Sequence, residues 1–283
     1  MQTLGTIAEV RRKIAAWRAD GMRVALVPTM GNLHAGHLKL FSEAHKQADK
    51  LVASVFVNPL QFGIGEDFSS YPRTLAADQA KLKAAACDLL FAPGEEEMYP
   101  SGRDGLGFVE VPGLSDILCG AHRTGHFRGV TTVVAKLFNI VQPDVAVFGE
   151  KDYQQLLLIR RMVRDLDMPV GIIGISTMRE VDGLAMSSRN GYLSEQERIV
   201  AKEIFAGLQI VATQLRQGAQ DYSALELAAS QRLVQFGFIV DYLTVRRAVD
   251  LAVPQAGEKR LVVLVAARLG NTRLIDNVLI DMD

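Results

Sequence analysis

Short apolar runs alternate with helical patterns along the first 176 residues, and this alternation is the strongest constraint on the fold. The runs at residues 24–27, 51–57, 89–92, 145–148 and 170–176 are almost entirely apolar. Continuous apolar segments of this length are typical of parallel strands that are covered on both faces. Strands that alternate with helices predict an α/β fold with a doubly wound parallel sheet. Ligand sites are then expected at the carboxyl ends of its strands.

Helical spacing fills the intervals between these runs, and one long interval is an exception. Thr6 and Glu9 have the spacing of a capping box at the start of the first helix. Residues 93–127 are rich in Gly and Pro and are predicted to be irregular. The other predicted helices lie at residues 74–86, 128–141 and 153–165, with one more that runs from about residue 37 to about residue 49.

The pattern changes after about residue 176, and we place a domain boundary there. Two long helical patterns, at residues 194–216 and 222–236, precede three predicted strands at 240–245, 261–267 and 274–279. Helices followed by consecutive strands are typical of a smaller α+β domain. The sequence thus predicts two domains, residues 1–176 and 177–283.

Composition and charge exclude several classes of protein. The 283-residue chain is 49% hydrophobic, and its net charge of −1 without a basic stripe argues against a nucleic-acid partner. No apolar run approaches the roughly 20 residues of a membrane helix, and the charged N-terminus does not resemble a signal peptide. Cys87 and Cys119 are too few for a disulfide framework and are predicted to be buried. We therefore expect a cytoplasmic protein with no membrane partner.

Residues 28–37, Pro-Thr-Met-Gly-Asn-Leu-His-Ala-Gly-His, connect an apolar run to a helix. Unpaired backbone N–H groups at the start of a helix suit a phosphate, and Gly31 and Gly36 let the backbone approach a ligand closely. His34 and His37, three residues apart on the opening turn, would project toward that anion from one face. The segment resembles the His-x-Gly-His loop of the nucleotidyltransferase superfamily, which binds ATP and transfers an adenylyl group.

Two other interpretations of the histidine pair stay open. His-x-x-His is a weak zinc pattern, but no Cys, Asp or Glu lies close by in the sequence to complete the set of ligands. The two histidines would otherwise be ordinary surface side chains of a connecting loop. The strand, the glycines and the helix coincide with them, as a nucleotide-binding loop requires, and this context favours nucleotide binding.

Two further segments carry groups suited to phosphates. Lys151 follows a predicted strand and precedes a helix, where a phosphate-binding cation is expected, and Asp152 could accept a ribose hydroxyl or take part in metal binding. Ser187, Ser188 and Arg189 could hold the outer phosphates of ATP as pyrophosphate leaves. The ordinary alternative for Lys151 and Asp152 is a surface ion pair, and for residues 187–189 it is a polar linker.

Four cationic or imidazole side chains cluster within seven residues: His122, Arg123, His126 and Arg128. Such a loop could grip an acidic substrate, or it could be a solvated surface loop. The sequence pattern alone does not distinguish these two possibilities.

Taken together, these segments resemble the pantothenate synthetase family, the pantoate–β-alanine ligases. The blocks that carry the resemblance are residues 28–37, 56–62, 71–74, 125–130, 148–155 and 183–193, and they cover nearly the whole chain. The resemblance implies a Rossmann-like N-terminal domain, a C-terminal lid domain, and a cytoplasmic homodimer that uses ATP with Mg²⁺. One departure is Ala35, where many relatives carry an acidic residue without a catalytic role.

The resemblance also assigns site residues position by position. The catalytic residues would be His37, which matches a proton donor, with His34 and Lys151. Gln61 and Gln155 match the glutamines that hold pantoate, and Gln61 is also placed to meet β-alanine. The residues that would contact ATP are Met30, Gly31, Asn32, Leu33, His34, Ala35, Gly36, His37, Gly149, Glu150, Lys151, Asp152, Met178, Met186, Ser187, Ser188 and Arg189.

The implied activity is AMP-forming ligation of pantoate and β-alanine through a pantoyl adenylate. Because that adenylate is already an activated acyl group, no protein nucleophile is needed, and the sequence offers no convincing nucleophile–base pair. One alternative is a nucleotidyltransferase that retains AMP in its product, which would need the histidine loop but not Gln61 and Gln155. Another is a non-catalytic nucleotide-binding module, which would tolerate the loss of His37.

Overall fold

The computed structural model describes residues 1–282, and the chain divides into two compact units. The first unit comprises Met1–Glu150 and Leu158–Ser176. The second comprises Lys151–Leu157 and the chain from Thr177 onward. Asp283, the last residue of the predicted second domain, lies outside the described residues, and the role of residues 177–283 as a lid stays a prediction.

The first unit contains a parallel sheet of six strands with the order β1-β4-β3-β2-β5-β6. Its strands are β1 Gln2–Leu4, β2 Val24–Thr29, β3 Lys50–Val55, β4 Leu89–Phe91, β5 Val145–Gly149 and β6 Gly171–Ile175. The helices are α1 Ile7–Ala19, α2 Ala35–Ala44, α3 Leu75–Ala84, α4 Glu95–Met98, α5 Cys119–His122, α6 His126–Val141 and α7 Tyr153–Asp165, the last of which begins in the second unit. The predicted α/β class is confirmed.

The strand order places a topological switch point between β2 and β5. From β2 the chain builds outward through β3 and β4 on one side, and it returns to form β5 and β6 on the other. The two central strands pair directly, with Ala25 opposite Val145 and Leu26 opposite Ala146. Residues 24–27 are fully buried, as expected of a central strand covered on both faces. Ligands of open α/β sheets bind outside the carboxyl ends of the strands at such a point.

The second unit combines three helices with a three-stranded antiparallel sheet of order β7-β8-β9. Its strands are β7 Ile239–Arg247, β8 Arg260–Leu269 and β9 Thr272–Asp281, and its helices are α8 Glu195–Ala201, α9 Glu203–Arg216 and α10 Tyr222–Gln235. Val263 and Val265 of β8 pack in one cluster with Leu208 and Leu215 of α9. The expected smaller α+β part of the fold is therefore confirmed.

Four details of the sequence prediction are wrong. The predicted helix 194–216 is interrupted at Lys202, which separates α8 from α9. The helix after the histidine loop ends at Ala44, because the N–H groups of Asp49 and Lys50 already bond to Arg23 O and turn the chain into β3. The three-residue strand β1 is too short to show a periodicity, and the irregular segment 93–127 contains the short helices α4 and α5.

Both cysteines are buried, as predicted, and they do not form a disulfide. Burial raises the pKa of the Cys87 thiol to about 11, so this side chain stays protonated and packs as a small apolar group. Within residues 1–282, no helix combines the length and the apolar character needed to cross a membrane.

Helix α6 packs unusually closely on a 3₁₀ turn, Pro59–Gln61, that follows β3. The contact is made at Gly129, where an added Cβ would lie 2.2 Å from the carbonyl oxygen of Leu60 and 2.7 Å from the nitrogen of Gln61. Both obstacles are backbone atoms, which cannot rotate away as the end of a side chain can. Only glycine fits at this position of α6.

We expect Gly129→Ala to lower the stability of the first unit by about 3 kcal/mol, because α6 or the turn must shift to make room for the methyl group. Gly207→Ala in the middle of α9 is the matched control. A Cβ there would lie 3.8 Å from the nearest atom of Leu233, so this change should leave the melting temperature unchanged or slightly raise it. Thermal unfolding of the two variants followed by circular dichroism makes the measurement; equal melting curves would contradict the close packing of Gly129.

Candidate active site

The switch point of the first unit collects the predicted ATP-binding residues of that unit. Residues 30–37 follow the carboxyl end of β2 and lead into α2, while Gly149 ends β5 and Glu150 begins the next turn. Because β2 and β5 are neighbours in the sheet, these two segments leave it at the same edge. The structure therefore places both segments where an α/β fold binds its ligand.

The two histidines of the loop cap α2. His34 is the N-cap residue, and its Nδ1 accepts a hydrogen bond of 3.1 Å from the N–H of Gly36. In return, Nδ1 of His37 accepts a bond of 3.3 Å from the N–H of His34. This is the reciprocal arrangement of a capping box, with imidazoles in place of the usual hydroxyl and carboxylate. The two rings lie 4.1 Å apart between centroids.

These capping bonds determine which ring nitrogen carries the proton. A nitrogen that accepts a hydrogen bond has no proton, so the caps require neutral rings with the proton on Nε2. In this state each histidine can donate from Nε2, and a doubly protonated ring would lose its cap. The local structure of α2 thus prepares two neutral Nε2–H donors at the start of a helix.

The expectation that the loop offers unpaired N–H groups to a phosphate needs correction. The Asp78 carboxylate of α3 already accepts the N–H groups of Asn32, at 2.9 Å, and Leu33, at 2.8 Å. Asp78 is fully buried, and the hydroxyl of Thr74 donates to it at 3.0 Å. The N–H groups of His34 and Gly36 are used by the caps. The loop is therefore shaped by an internal anion, and its imidazoles rather than these N–H groups are suited to an external one.

Asp78 also explains why glycine is needed at position 31. This glycine has a φ of +81°, and a Cβ on it would lie 3.0 Å from Oδ2 of Asp78 and 3.1 Å from Cγ1 of Val55. The close backbone approach that the sequence suggested is thus to Asp78. Asn32 follows with a φ of +49°, a conformation that asparagine tolerates better than most residues. The loop conformation depends on this pair of residues.

Gln61 lies in a buried polar cluster beside the loop. Its Nε2 contacts Sδ of Met30 at 3.1 Å, and its Oε1 accepts a bond of 3.1 Å from Nδ2 of Asn58. Nδ2 of Asn58 also donates to Gly129 O, and its Oδ1 accepts the hydroxyl of Tyr99 at 2.7 Å. Two predicted site residues, Met30 and Gln61, are therefore in direct contact. Gln61 is held in a defined orientation by a fully bonded asparagine.

The second unit contains the remaining predicted site residues. Side chains of its strand β9 bond to two segments that carry some of them, one at Lys151 and one at Arg179. Nδ2 of Asn277 donates to the carbonyl oxygen of Lys151 at 2.9 Å. Next to it, Asp276 forms a two-pronged ion pair with Arg179, with distances of 2.6 and 3.0 Å. Burial raises the pKa of Asp276, and the bonds from Arg179 and from the Asn277 N–H oppose that rise. Arg179 directly follows Met178.

The segment from Met178 to Arg189 is a compact hairpin followed by a turn. The N–H of Met186 bonds to Met178 O at 2.9 Å, and Arg179 pairs with Ala185 in a β-bridge. Ser187 caps the 3₁₀ turn Ser188–Tyr192 by accepting the N–H of Arg189 at 3.2 Å. Two methionines predicted to contact ATP are thus neighbours, and the Ser-Ser-Arg segment has a regular local structure.

The other predicted residues of this unit lie around the start of α7. Lys151 and Asp152 belong to a 3₁₀ turn, Glu150–Asp152, that leads directly into the helix. Gln154 is buried, whereas Gln155 is partly exposed. Among residues 1–282, no group of three or more His, Cys, Asp or Glu side chains is arranged to hold a metal ion. The zinc interpretation of His34 and His37 thus gains no further ligands.

Sequence reasoning missed Asp78 and Asn277. A single aspartate in an alanine-rich helix is indistinguishable from a surface charge, and an Asp-Asn pair in a strand is usually assigned to a turn. Both residues act on segments 45 or more positions away in the chain. Only the pairing of strands and helices brings them to their partners.

We expect Asp78→Asn to destabilise the first unit by about 3 kcal/mol, because an amide offers one acceptor where two N–H donors converge on a carboxylate. The same change should raise the KM for ATP, since the loop carrying His34 and His37 loses its anchor. Asp104→Asn, at an exposed aspartate, is the control and should change neither quantity. Urea unfolding and steady-state kinetics make the test; a stable variant with a normal KM for ATP would contradict the role of Asp78.

Comparison with known proteins shows which family the chain belongs to. The chain is 57% identical over 282 residues to the pantothenate synthetase of Azotobacter vinelandii, with all of both chains covered. It is 58% identical over 278 residues to the pantothenate synthetase of Shewanella amazonensis, which covers 98% of this chain and 99% of that protein.

Solved structures show the same fold. The crystal structure of pantothenate synthetase from Thermus thermophilus superposes with a TM-score of 0.92 at 47% identity, over 98% of this chain and 99% of the other. Pantoate-beta-alanine ligase from Francisella tularensis, complexed with beta-gamma ATP and beta-alanine, gives a TM-score of 0.83 at 32% identity, over 99% and 97% of the two chains. The sequence profile of the family described as Pantoate-beta-alanine ligase matches residues 2–279. This chain therefore belongs to the pantoate-beta-alanine ligase family.

Proposed function

We propose that this protein is an ATP-dependent ligase that joins pantoate to β-alanine, with pantoyl adenylate as the intermediate and with release of AMP and pyrophosphate. The observation that carries the proposal is the 3.1 Å contact between Gln61 and Met30. Met30 opens the loop that carries His34 and His37, so an amide that can hold a hydroxy acid touches the segment with two imidazole donors. A nucleotidyltransferase has no need of such an amide beside its histidine loop.

In the first half-reaction, the pantoate carboxylate attacks the α-phosphorus of ATP and pyrophosphate leaves. Gln61 and Gln155 hold the hydroxy acid through neutral hydrogen bonds. His34 and His37 donate from Nε2 to the phosphate oxygens on which negative charge grows, and Lys151 supplies a positive charge. Our proposal for ATP binding includes Met30 to His37, Gly149 and Glu150 in the first unit. In the second unit it includes Lys151, Asp152, Met178, Met186, Ser187, Ser188 and Arg189.

In the second half-reaction, the amine of β-alanine attacks the acyl carbonyl of the adenylate. The carbon–nitrogen bond forms as the bond between the acyl carbon and the phosphate oxygen breaks, and AMP departs. The ammonium group of β-alanine loses one proton to solvent before the attack, and the nitrogen loses a second proton as the amide forms, which the departing phosphate of AMP can take. Gln61 is proposed to orient β-alanine as well, as the family resemblance implies. No covalent bond to the protein is required.

Mg²⁺ is proposed to arrive with ATP. Mg²⁺ in nucleotide sites is usually held by substrate phosphates, water and one or two carboxylates rather than by a complete protein cage. Asp152 is proposed either to accept a ribose hydroxyl of ATP or to take part in holding the ion. When bound, the ion would neutralise charge on the phosphates. A homodimer in the cytoplasm is proposed on the family resemblance, and two buried cysteines that form no disulfide agree with a reducing compartment.

An isotope-exchange experiment tests the function. With Mg²⁺, ATP and pantoate but without β-alanine, the enzyme should exchange labelled pyrophosphate into ATP, because the adenylate forms before the amine arrives. Adding β-alanine should then release AMP and pantothenate in equal amounts. Exchange that requires β-alanine would overturn the two-step order. A product that retains AMP would identify a nucleotidyltransferase, and a complete lack of exchange and of AMP release would identify a binding module.

A pair of variants tests the role of His37. Because the cap fixes the proton of His37 on Nε2, we expect His37→Ala to lower kcat about a hundredfold or more. Gln places an amide N–H near the position of Nε2, so His37→Gln should recover about a tenth or more of the activity if His37 acts as a neutral donor. Melting curves of both variants serve as the control for folding. Normal turnover in a folded His37→Ala variant would exclude the assignment.

A further inference from the structure

Two of the four cationic or imidazole side chains in the loop, Arg123 and His126, have defined partners in the structure. Arg123 forms a two-pronged ion pair with Glu66, in which Nε and Nη2 each lie 2.6 Å from a carboxylate oxygen. The pair is mostly buried, with side-chain exposures of 15% for Arg123 and 20% for Glu66. Nη2 of Arg123 also donates to the carbonyl oxygen of Gln61 at 3.3 Å. The guanidinium is therefore committed to an internal carboxylate and to a backbone carbonyl.

His126 bonds to the same carbonyl oxygen. Its Nδ1 lies 2.8 Å from Gln61 O, which can only accept, so this nitrogen carries the proton. Its Nε2 lies 2.9 Å from Nη1 of Arg123, which can only donate, so Nε2 is unprotonated. The two partners fix the tautomer of the ring. Arg123 and His126 thus converge as two donors on one backbone oxygen.

The oxygen that they share belongs to the residue whose side chain holds the substrate in our proposal. Gln61 ends a three-residue 3₁₀ turn, and the loop that follows, residues 63–67, is partly exposed and contains two glycines. A turn this short has little cooperative stability of its own. On one side it is held by Asn58 and by the close approach of Gly129. On the other side, Arg123 and His126 are the groups that hold it.

We propose that Arg123, His126 and Glu66 are positioning residues for Gln61: they fix its backbone carbonyl so that its side-chain amide faces the hydroxy acid. This inference rests on the proposed function of Gln61. It gives Arg123 and His126 a structural role in place of the two that the sequence left open for the cluster, whereas His122 and Arg128 are exposed and take no part in it. Glu66 keeps Arg123 in place, and Arg123 orients His126.

The charge state of Glu66 supports this arrangement. Burial raises the pKa of Glu66, but the hydrogen bonds and the positive charge of Arg123 outweigh burial and lower the pKa to about 2. The ion pair is therefore intact throughout the pH range in which an enzyme of this kind works. Removing either partner would leave a half-buried charge without its counterpart, which is more damaging than removing both.

Kinetics of His126 variants in the full-length protein test the proposal. His126→Phe keeps the ring but removes the donor, and it should raise the KM for pantoate about tenfold, with the KM for ATP changed less than about twofold. His126→Asn places an amide N–H near the position of Nδ1 and should restore the KM for pantoate to within about threefold of the original value. A role confined to stability would not give this rescue or this difference between the two substrates.

Arg123→Ala and Glu66→Gln should change the KM for pantoate in the same direction. The matched control is Arg103→Ala, which breaks the two-pronged pair between Arg103 and Glu95 on the exposed surface of the same unit. This control should leave both KM values unchanged. Equal effects of Arg103→Ala and Arg123→Ala on the KM for pantoate would overturn the proposal.

The double variant Gln61→Ala/His126→Phe separates this inference from the proposed function. If His126 acts through Gln61, the double variant should bind pantoate no more weakly than Gln61→Ala alone. Fully additive effects, or a normal KM for pantoate in His126→Phe, would overturn the inference and leave the proposed role of Gln61 intact. A normal KM for pantoate in Gln61→Ala would instead overturn the proposed role of Gln61, and the positioning role with it.

Discussion

The bond between the Asp78 carboxylate and the N–H groups of Asn32 and Leu33 is the interaction on which the nucleotide loop depends. Burying a carboxylate without hydrogen-bond partners would cost free energy, and so would leaving the two N–H groups of the loop without an acceptor. Each satisfies the other. The loop that is held by Asp78 leads directly into α2. His34 and His37 therefore lie at the start of this helix, where their Nδ1 atoms complete the cap. The loop is thus organised before any phosphate binds.

Elsewhere in the chain, polar side chains on or next to helices and strands also hold irregular segments in place by hydrogen bonds. On β9 of the second unit, Asp276 holds Arg179 and Asn277 holds the backbone of Lys151. On α6 and just before it, His126 and Arg123 hold the backbone of Gln61. Sites built on loops gain precision when rigid elements fix the loop backbone. The side chains proposed to meet substrates are therefore supported by residues outside that set.

Local chemistry accounts for what could be predicted from the sequence. Strands β2 to β5 were recognisable because burial on both faces leaves continuous apolar runs, and α1 because Thr6 and Glu9 satisfy its first N–H groups. Strand β6 also carries an apolar run, although it lies at the edge of the sheet and is only partly buried. The histidine loop was recognisable because a strand, two glycines and a helix must adjoin in the chain. The break between α8 and α9 was not recognisable, because lysine at position 202 gives no sign that a helix ends there.

By itself, the sequence determined the fold class, the family and the residues proposed to meet the substrates, because each of these is encoded in short contiguous blocks. The tertiary structure decided how those residues are held. Asp78, Asn277, Glu66 and Arg123 act on partners 45 to 126 positions away, and the chemistry of each alone is that of an ordinary surface residue. It also decided the tautomers of His37 and His126, because a ring nitrogen is a donor or an acceptor only in relation to the atom it faces.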